Sequence, residues 1–328
     1  MKNITDFHGH FGVQFQMFLK EKRALGIKYL EEERLLHLLD DMSMTYDCSE
    51  GFPKELVLQF IERQPHWSQS THGYRIHVVR QFARYLTTLR IPAYLCHPAK
   101  TTKTTDHFKP HIFTREEISD ILKQADSITP FHKTSQAPVF YPVILRVLYG
   151  CGLRITEALS LRIKDVDLSE GTLYIHNSKN HKDRIVPMDS SLTAYCVRYS
   201  EVIHRFAKEG DYFFLSPKGG CYTKGAVYHY FRKLLWQCGI SHCGRSNGPR
   251  LHDVRHTFAV HCMRQFEQRG IHLRASLPII SAYLGHSNIS ATGKYLRMTA
   301  ENFPEIAAKL ENTFGNLIPD LRGGGCSQ

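Results

Sequence analysis

Apolar residues recur with helical spacing in four stretches near the start of the chain, at residues 7–23, 29–42, 54–62 and 70–89. Spacing of this kind places the apolar side chains on one face of a helix, so each stretch predicts an amphipathic helix. Pro53 precedes the third stretch, where its fixed φ suits a helix start. The pattern therefore predicts a helical bundle over residues 1–96.

A second series of helical patterns follows residues 97–112, HPAKTTKTTDHFKPHI, which are rich in Thr, Pro and Lys and have no periodicity. This composition is typical of an exposed linker. Thr114 and Glu117 then have the spacing of a capping box, which predicts a helix from there to about residue 125. Further helical patterns lie at residues 139–149, 155–161, 192–208, 226–238, 254–269, 277–284 and 301–314.

Two short runs at 172–176 and 184–187 break the helical pattern. They alternate or are β-branched, and the polar loop NSKNHKD separates them, which predicts a hairpin. The predicted fold class is mainly α: an N-terminal helical domain and a second α-helical domain that carries a small antiparallel β-sheet. We expect the domains at 1–96 and 113–314, the linker at 97–112 and an unstructured tail at 315–328.

Composition restricts the environment in which this chain works. Of its 328 residues 42% are hydrophobic, and no apolar run approaches the roughly 20 residues of a membrane span. The N-terminus, MKNITDFHGHFG, lacks the pattern of a secretory signal. The nine cysteines are odd in number and contain no CxxC pair, which favours free thiols over disulfides. These features predict a cytoplasmic protein with no membrane partner.

The charge points to the kind of partner. A formal net charge of +11, with most of the excess after residue 100, favours a polyanion, and nucleic acid ahead of a membrane surface. Residues 63–105 contain no Asp or Glu at all.

Within that window, Arg80 and Arg84 share a predicted helix face with His77, opposite an apolar stripe. A solvated surface helix normally carries both signs of charge, so the one-sided charge favours DNA contact. The candidate DNA-binding residues are Arg75, His77, Arg80, Arg84, Lys100 and Lys103.

The segment LHDVRHTFAVH, residues 251–261, raises the alternative of a metal site, because His252 and His256 are four residues apart. A zinc protease would have Glu directly after the first histidine, where this chain has Asp253. Arg255 between the histidines opposes a divalent cation. We therefore expect no metal.

Phosphate chemistry explains these residue types better. A phosphodiester under attack gains negative charge on its non-bridging oxygens, and guanidinium groups match that geometry with paired donors. Arg154 follows a Gly-Cys-Gly break at the start of a predicted helix, and Arg255 shares a helix face with His252.

Taken in order, GLRITEALSL, the hairpin lysine, HDVRH, YLGH and a following tyrosine resemble the tyrosine recombinase, or phage integrase, family over nearly the whole chain. A longer stretch between HDVRH and YLGH is similar to that of transposon-borne members. The matched positions are Arg154 and Glu157 in the first motif, His252 and Arg255 in the H-x-x-R motif, His286 in the L-G-H motif, and Tyr295 nine residues later.

The resemblance assigns the hairpin lysine to Lys179, aligned through the final Arg-Ile-Val-Pro of SKNHKDRIVP. Relatives often have glycine around this lysine, whereas this loop has Ser178 and Asn180, so Lys182 remains a competitor. Asn180 can adopt the left-handed turn that glycine otherwise supplies, which favours Lys179.

The resemblance implies a DNA strand-exchange enzyme without cofactor or metal. Tyr295 would attack the phosphodiester to form a 3′-phosphotyrosyl intermediate, with Arg154, Arg255 and His286 stabilising the phosphorane, Glu157 supporting them, and His252 or a neighbour receiving the proton. The hairpin lysine would protonate the leaving 5′ oxygen. The first domain would clamp duplex DNA, and a homo-tetramer would assemble on the recombination sites.

Two alternatives remain at this point. A type IB topoisomerase shares the chemistry but rejoins the original strand, and a catalytically silent DNA-binding regulator could keep the fold. Integration, excision and transposition are equally compatible with the sequence. Residues 301–321 could dock on their own domain or on a neighbouring subunit.

His286 and Tyr295 set a geometrical condition. Nine residues along one helix turn through about 900°, which would place the two side chains on opposite faces. Gly285 is suited to end a helix, and Asn288 and Ser290 are suited to start another. We therefore predict a break that lets both side chains face one phosphate.

Overall fold

The computed structural model describes residues 7–98, 110–130, 132, 135–176, 183–241, 248–271 and 273–286, together with the single positions 293, 295, 298 and 303. The chain divides into two compact units, Met1–His107 and Phe108–Gln328, and the division falls within the predicted linker. The predicted fold class is confirmed, since the described residues are mainly helical with a small antiparallel sheet.

The first unit contains the four predicted helices, α1 (Gly12–Ala24), α2 (Leu30–Ser43), α3 (Lys54–Ile61) and α4 (Gln69–Thr88). An aromatic core joins α1 to α4: the ring of Phe82 stacks on Phe15 at 4.1 Å and meets Phe18 edge-on at 5.6 Å between centroids. Ser68 caps α4 by accepting a hydrogen bond from the N–H of Thr71. The apolar pattern thus identifies the core faces of this unit.

The start of α1 differs from the prediction, because the helix begins at Gly12 and residues 7–11 lie outside it. Phe7 and Phe11 are buried, which explains the apolar pattern. The backbone N–H groups of His8 and Gly9 donate to the carboxylate of Asp40 on α2, at 2.7 and 3.0 Å. This segment is therefore held to α2 by its backbone without being helical.

The second unit contains seven described α-helices. They are α5 (Arg115–Asp126), α6 (Ala137–Gly150), α7 (Ile155–Ser160), α8 (Ser190–Ile203), α9 (Lys224–Gln237), α10 (Asp253–Gln268) and α11 (Leu273–Leu284). The predicted capping box is present: Thr114 Oγ1 accepts from the N–H of Glu117, whose carboxylate accepts from the N–H of Thr114. Helix α6 is central, with Phe140, Ile144 and Leu148 buried in the main core.

Two helix bounds in this unit differ from the sequence prediction by four residues or more. Helix α8 ends at Ile203 instead of continuing to residue 208, and His204 forms a hydrogen bond with the carbonyl of Phe213 at 2.7 Å as the chain turns away. Helix α11 starts at Leu273, four residues early, and contains Pro278. The predicted helix at 301–314 lies outside the described residues except for Phe303, which packs on Arg264 of α10.

The sheet of the second unit has three antiparallel strands in the order β1 (Val166–Asp167), β2 (Thr172–Ile175) and β3 (Arg184–Pro187). Strands β2 and β3 form the predicted hairpin, whereas β1 was not predicted. Leu173 is paired with Val186 and Ile175 with Arg184, so these side chains share the inward face. No helix in the described part of the chain is both long and apolar enough to cross a membrane.

Candidate active site

A Gly-Cys-Gly turn after α6 presents the first site residues. Gly152 has a φ of +56°, which breaks the chain between α6 and α7. Glu157, in the first turn of α7, accepts hydrogen bonds from the backbone N–H of Arg154 at 2.9 Å and from its guanidinium at 2.7 Å. The acidic residue three positions after the arginine therefore orients it.

Glu157 is the centre of a buried cluster that contains three arginines. Besides Arg154, Arg184 of β3 donates two hydrogen bonds to its carboxylate, at 2.9 and 3.2 Å, and Arg255 of α10 lies 3.7 Å away. Burial alone would raise the pKa of Glu157, but the hydrogen bonds and charges of Arg184 and Arg154 outweigh it and lower the pKa to about 2. The carboxylate therefore stays ionised and holds the guanidinium groups in place.

Arg184 was not a predicted site residue. Its Nε also donates to the carbonyl of Tyr283 near the end of α11, at 2.9 Å, so one side chain connects the hairpin, α7 and α11. A signal was present in the sequence, because strand alternation places Arg184 on the same inward face as Val186. A charged residue at an inward position needs a buried partner, which here is Glu157.

Arg255 is only 2% exposed, and it joins the two ends of the site. Its guanidinium donates to the carbonyl of Gly152 at 2.8 Å and to that of Leu284 at 2.6 Å, and lies 3.3 Å from His286 Nε2. Burial, together with the charge of Arg154, lowers the pKa of Arg255 to about 10, so the group remains a cation at neutral pH. The turn before Arg154 and the Leu-Gly-His segment are thus held by one side chain.

Gly285 ends α11, as predicted. Its φ is +66°, its N–H donates to the carbonyl of Ala282, and the N–H of His286 donates to that of Ser281. This is the Schellman arrangement of a helix end. It turns His286 away from α11 and toward Arg255.

We expect Gly285→Ala to destabilise this corner. The left-handed backbone costs a non-glycine residue about 1–2 kcal/mol. The added Cβ would also lie 2.8 Å from Arg184 Nη1, which Glu157 and Tyr283 hold in place. Urea unfolding should show the loss, with Gly219→Ala as the control, because that glycine has a similar φ and open space around it. Equal losses in the two variants would show that the contact with Arg184 has no cost.

Tyr295 lies inside this cluster and is only 3% exposed. Its ring stacks on that of His286, with 5.8 Å between centroids and 15° between planes. Its hydroxyl oxygen is 3.2 Å from Nδ1 of His256. The two motif residues nine positions apart therefore face each other, as the predicted chain break requires.

The electrostatic surroundings set the protonation states. Burial raises the pKa of Tyr295 above its usual value of about 10, while Arg255 and Arg154 act in the opposite direction. Burial of the His252 and His286 rings away from water lowers the pKa of each to about 4, and the positive charges of Arg255 and Arg154 act in the same direction. At neutral pH the phenol is therefore protonated and both imidazoles are neutral.

The lowered pKa values of His252 and His286 predict that the folded protein loses stability in mild acid. Each has a folded-state pKa near 4 against about 6.5 unfolded, so the unfolded chain binds more protons between these values. Their contribution is complete above pH 6.5 and is lost as the pH falls toward 4. In urea unfolding, the free energy of unfolding of the double variant His252→Asn/His286→Asn should fall less steeply from pH 7 to pH 5 than that of the wild type. Identical slopes would contradict the shifted pKa values.

The remaining predicted site residues are the hairpin lysines and the candidate DNA-binding residues. Lys179, Lys182, Lys100 and Lys103 lie outside the described residues. On α4, His77 and Arg84 are exposed and Arg80 is half-buried, opposite the buried stripe of Ile76, Val79, Ala83 and Leu86.

Arg75 does not join that face of α4. Its guanidinium donates to the carbonyl of Phe60 and lies over the rings of Phe60 and Trp67, at 4.0 and 4.4 Å from their centroids. The helical spacing turns it toward α3, so the structure gives Arg75 a role in packing within the first unit.

His252 and His256, the pair considered for a metal site, lie next to each other at the start of α10. Their rings pack edge to face, 4.8 Å apart, and Arg255 lies between them in sequence. Among the described residues, no group of three His, Cys, Asp or Glu side chains is arranged to hold a metal ion.

A tyrosine surrounded by arginines and histidines, on a mainly α domain with a β-hairpin, defines the class of DNA strand-exchange enzymes that use a tyrosine. Residues 111–302 match the Phage integrase family, and because this is more than half of the chain, the chain belongs to that family. The protein is therefore a site-specific DNA recombinase of the tyrosine type.

Individual relatives agree with this assignment. The chain is 29% identical over 305 residues to y4rB of Sinorhizobium fredii, an integrase/recombinase by name, which covers 90% of this chain and 95% of y4rB. It is 29% identical to the tyrosine recombinase XerC of Myxococcus xanthus, over 85% of each chain.

Solved structures show the same fold. The structure of XerH bound to palindromic difH has a TM-score of 0.59 at 17% identity, covering 90% of this chain and 87% of that one. The Tn1549 transposon integrase with transposon right-end DNA also has a TM-score of 0.59 at 17% identity, covering 91% and 98%.

Proposed function

We propose that this recombinase serves a mobile element and exchanges DNA strands through a 3′-phosphotyrosyl intermediate formed on Tyr295. The observation that carries the proposal is the position of the Tyr295 hydroxyl among two histidines and the arginines held by Glu157. A phenol in this setting can attack a phosphate whose charge the arginines neutralise.

We propose the following roles for the residues of the site. Oη of Tyr295 forms a bond to phosphorus, and the bond from phosphorus to the 5′ oxygen breaks. Arg154, Arg255 and His286 hold the non-bridging oxygens, while Glu157 and Arg184 fix the arginines. The 5′ oxygen needs a proton to leave, and we assign that general-acid role to Lys179, with Lys182 as the alternative. A 5′ hydroxyl from a second duplex then reverses the step and joins the exchanged strands.

We propose duplex recombination sites as the substrate and the cytoplasm, where such DNA lies, as the location. XerH and the Tn1549 integrase have structures with difH and transposon right-end DNA, respectively, which supports this substrate class. The exposed face of α4 with His77, Arg80 and Arg84 is the proposed contact of the first unit. Exchange between two duplexes uses four sites, so we propose a homo-tetramer on DNA.

The proposal is tested with a nicked suicide substrate, from which the short strand beyond the cut diffuses away. Purified protein should form a covalent complex whose DNA is attached through its 3′ phosphate, with a free 5′ hydroxyl on the released piece. A 5′-linked complex would overturn the mechanism. Two intact duplexes that carry the site, one of them labelled, separate the alternatives: a recombinase yields products joined across the two duplexes, whereas a type IB topoisomerase rejoins each original strand and yields none.

A further inference from the structure

His256 contacts the proposed nucleophile, although the sequence motifs assign it no catalytic role. It lies in the first turn of α10, one residue after Arg255, and its Nδ1 is 3.2 Å from the Tyr295 hydroxyl. The two rings are 5.5 Å apart between centroids. A separation of 3.2 Å is within reach of direct proton transfer.

We propose that His256 is a catalytic residue, the general base that accepts the phenolic proton of Tyr295 when its oxygen attacks the phosphate. This rests on Tyr295 being the nucleophile. As the bond from Oη to phosphorus forms, the O–H electron pair stays on oxygen and the proton moves to Nδ1. The bond to the 5′ oxygen breaks, and that oxygen receives its proton from the general acid. Rejoining returns the proton from Nδ1 to the phenol.

The rings around Tyr295 and His256 hold the phenol and the proposed base in place. The His252 ring meets the His256 ring edge to face at 4.8 Å, so it packs against the base and helps to orient it. His286 stacks nearly parallel on Tyr295, which fixes the phenol ring. Tyr295 is almost fully buried, and a buried phenol needs a neighbouring group to take its proton.

The chemical requirement is that Nδ1 be unprotonated. The tautomer with hydrogen on Nε2 leaves the lone pair of Nδ1 directed at the Tyr295 hydroxyl. A role limited to positioning would require only a hydrogen bond, which an asparagine side chain can also make near the position of Nδ1. The two roles can therefore be separated by substitution.

The first test compares His256→Asn with the wild type on the nicked substrate, in single-turnover cleavage. We expect DNA affinity to be retained and cleavage to slow by about 10²-fold or more, the usual contribution of a general base. The defect should persist on a substrate with a bridging 5′ sulfur, which leaves without protonation. Cleavage by His256→Asn at the wild-type rate, or recovery on the sulfur substrate, would overturn the proposal.

The second test is chemical rescue. His256→Ala leaves a space beside Tyr295, and added imidazole should restore its cleavage in proportion to the concentration of neutral imidazole. His252→Ala is the matched control: it removes a ring from the adjacent turn, and we expect no rescue. Absence of rescue in His256→Ala, with urea unfolding showing a folded protein, would also overturn the proposal.

Failure of this inference is distinguishable from failure of the proposed function. If Tyr295 is not the nucleophile, covalent complex persists in Tyr295→Phe whatever stands at position 256. If Tyr295 is the nucleophile but His256 is not the base, Tyr295→Phe loses the complex while His256→Asn keeps it at the normal rate.

Discussion

Tyr295→Phe is expected to abolish covalent capture of the nicked substrate while DNA binding remains. The substitution removes one oxygen and leaves the ring that stacks on His286. It removes the contact with His256, which at the usual value of a hydrogen bond costs about 0.5–1.5 kcal/mol of stability. Denaturing gels measure the adduct, and fluorescence anisotropy on an intact duplex measures binding.

A covalent adduct that persists in Tyr295→Phe would move the nucleophile to another residue. Tyr283 is the matched control, because its ring is also partly buried near Arg184, and its hydroxyl donates to the carbonyl of Pro187. Tyr283→Phe should keep the ability to form the adduct.

Arg255→Lys is expected to reduce cleavage by about 10²–10³-fold, the effect of losing a preorganised donor for the phosphorane. Lysine keeps the charge but has no guanidinium fork to reach Gly152 and Leu284 together. Arg255→Ala should in addition destabilise the fold by about 3–5 kcal/mol, as when one partner of a buried charge network is removed. Single-turnover cleavage and urea unfolding measure the two effects.

Arg269→Lys provides the comparison on the same helix, since Arg269 is exposed at the end of α10. We expect little change in either assay. Full cleavage by Arg255→Lys would show that the charge of Arg255 suffices, and that its geometry is not used.

Local sequence patterns predicted much of the fold because they depend on interactions between near neighbours. The capping box at Thr114 and the paired strands of the hairpin follow directly from residue types and spacing. The start of α1 could not be predicted in this way. Phe7 and Phe11 are buried as they would be on a helix, but the backbone N–H groups of His8 and Gly9 in that segment donate to Asp40 instead. Apolar periodicity reports burial, and only indirectly conformation.

In the candidate site too, some residues could be identified from the sequence and others only from the folded structure. The motif positions Arg154, His252, Arg255, His286 and Tyr295 could be named from spacing and family resemblance, and the structure brings them together. Arg184 was not named, and His256 was named only for the metal alternative, because their contacts in the site depend on distances between segments far apart in the chain. Arg75 was grouped with the other basic residues of α4 by charge alone, and packing against Phe60 and Trp67 separates it from them.

The net charge of the cluster around Glu157 determines how strongly the site binds the intact phosphodiester and how strongly it binds the phosphorane. Three guanidinium groups and one carboxylate leave two positive charges in a site whose histidines His252 and His286 are neutral at pH 7. A phosphodiester in intact DNA carries one negative charge, whereas the pentacovalent phosphorane carries two. The site is therefore matched in charge to the transition state and over-charged for its substrate. Binding energy from this cluster is realised most fully at the moment of strand cleavage.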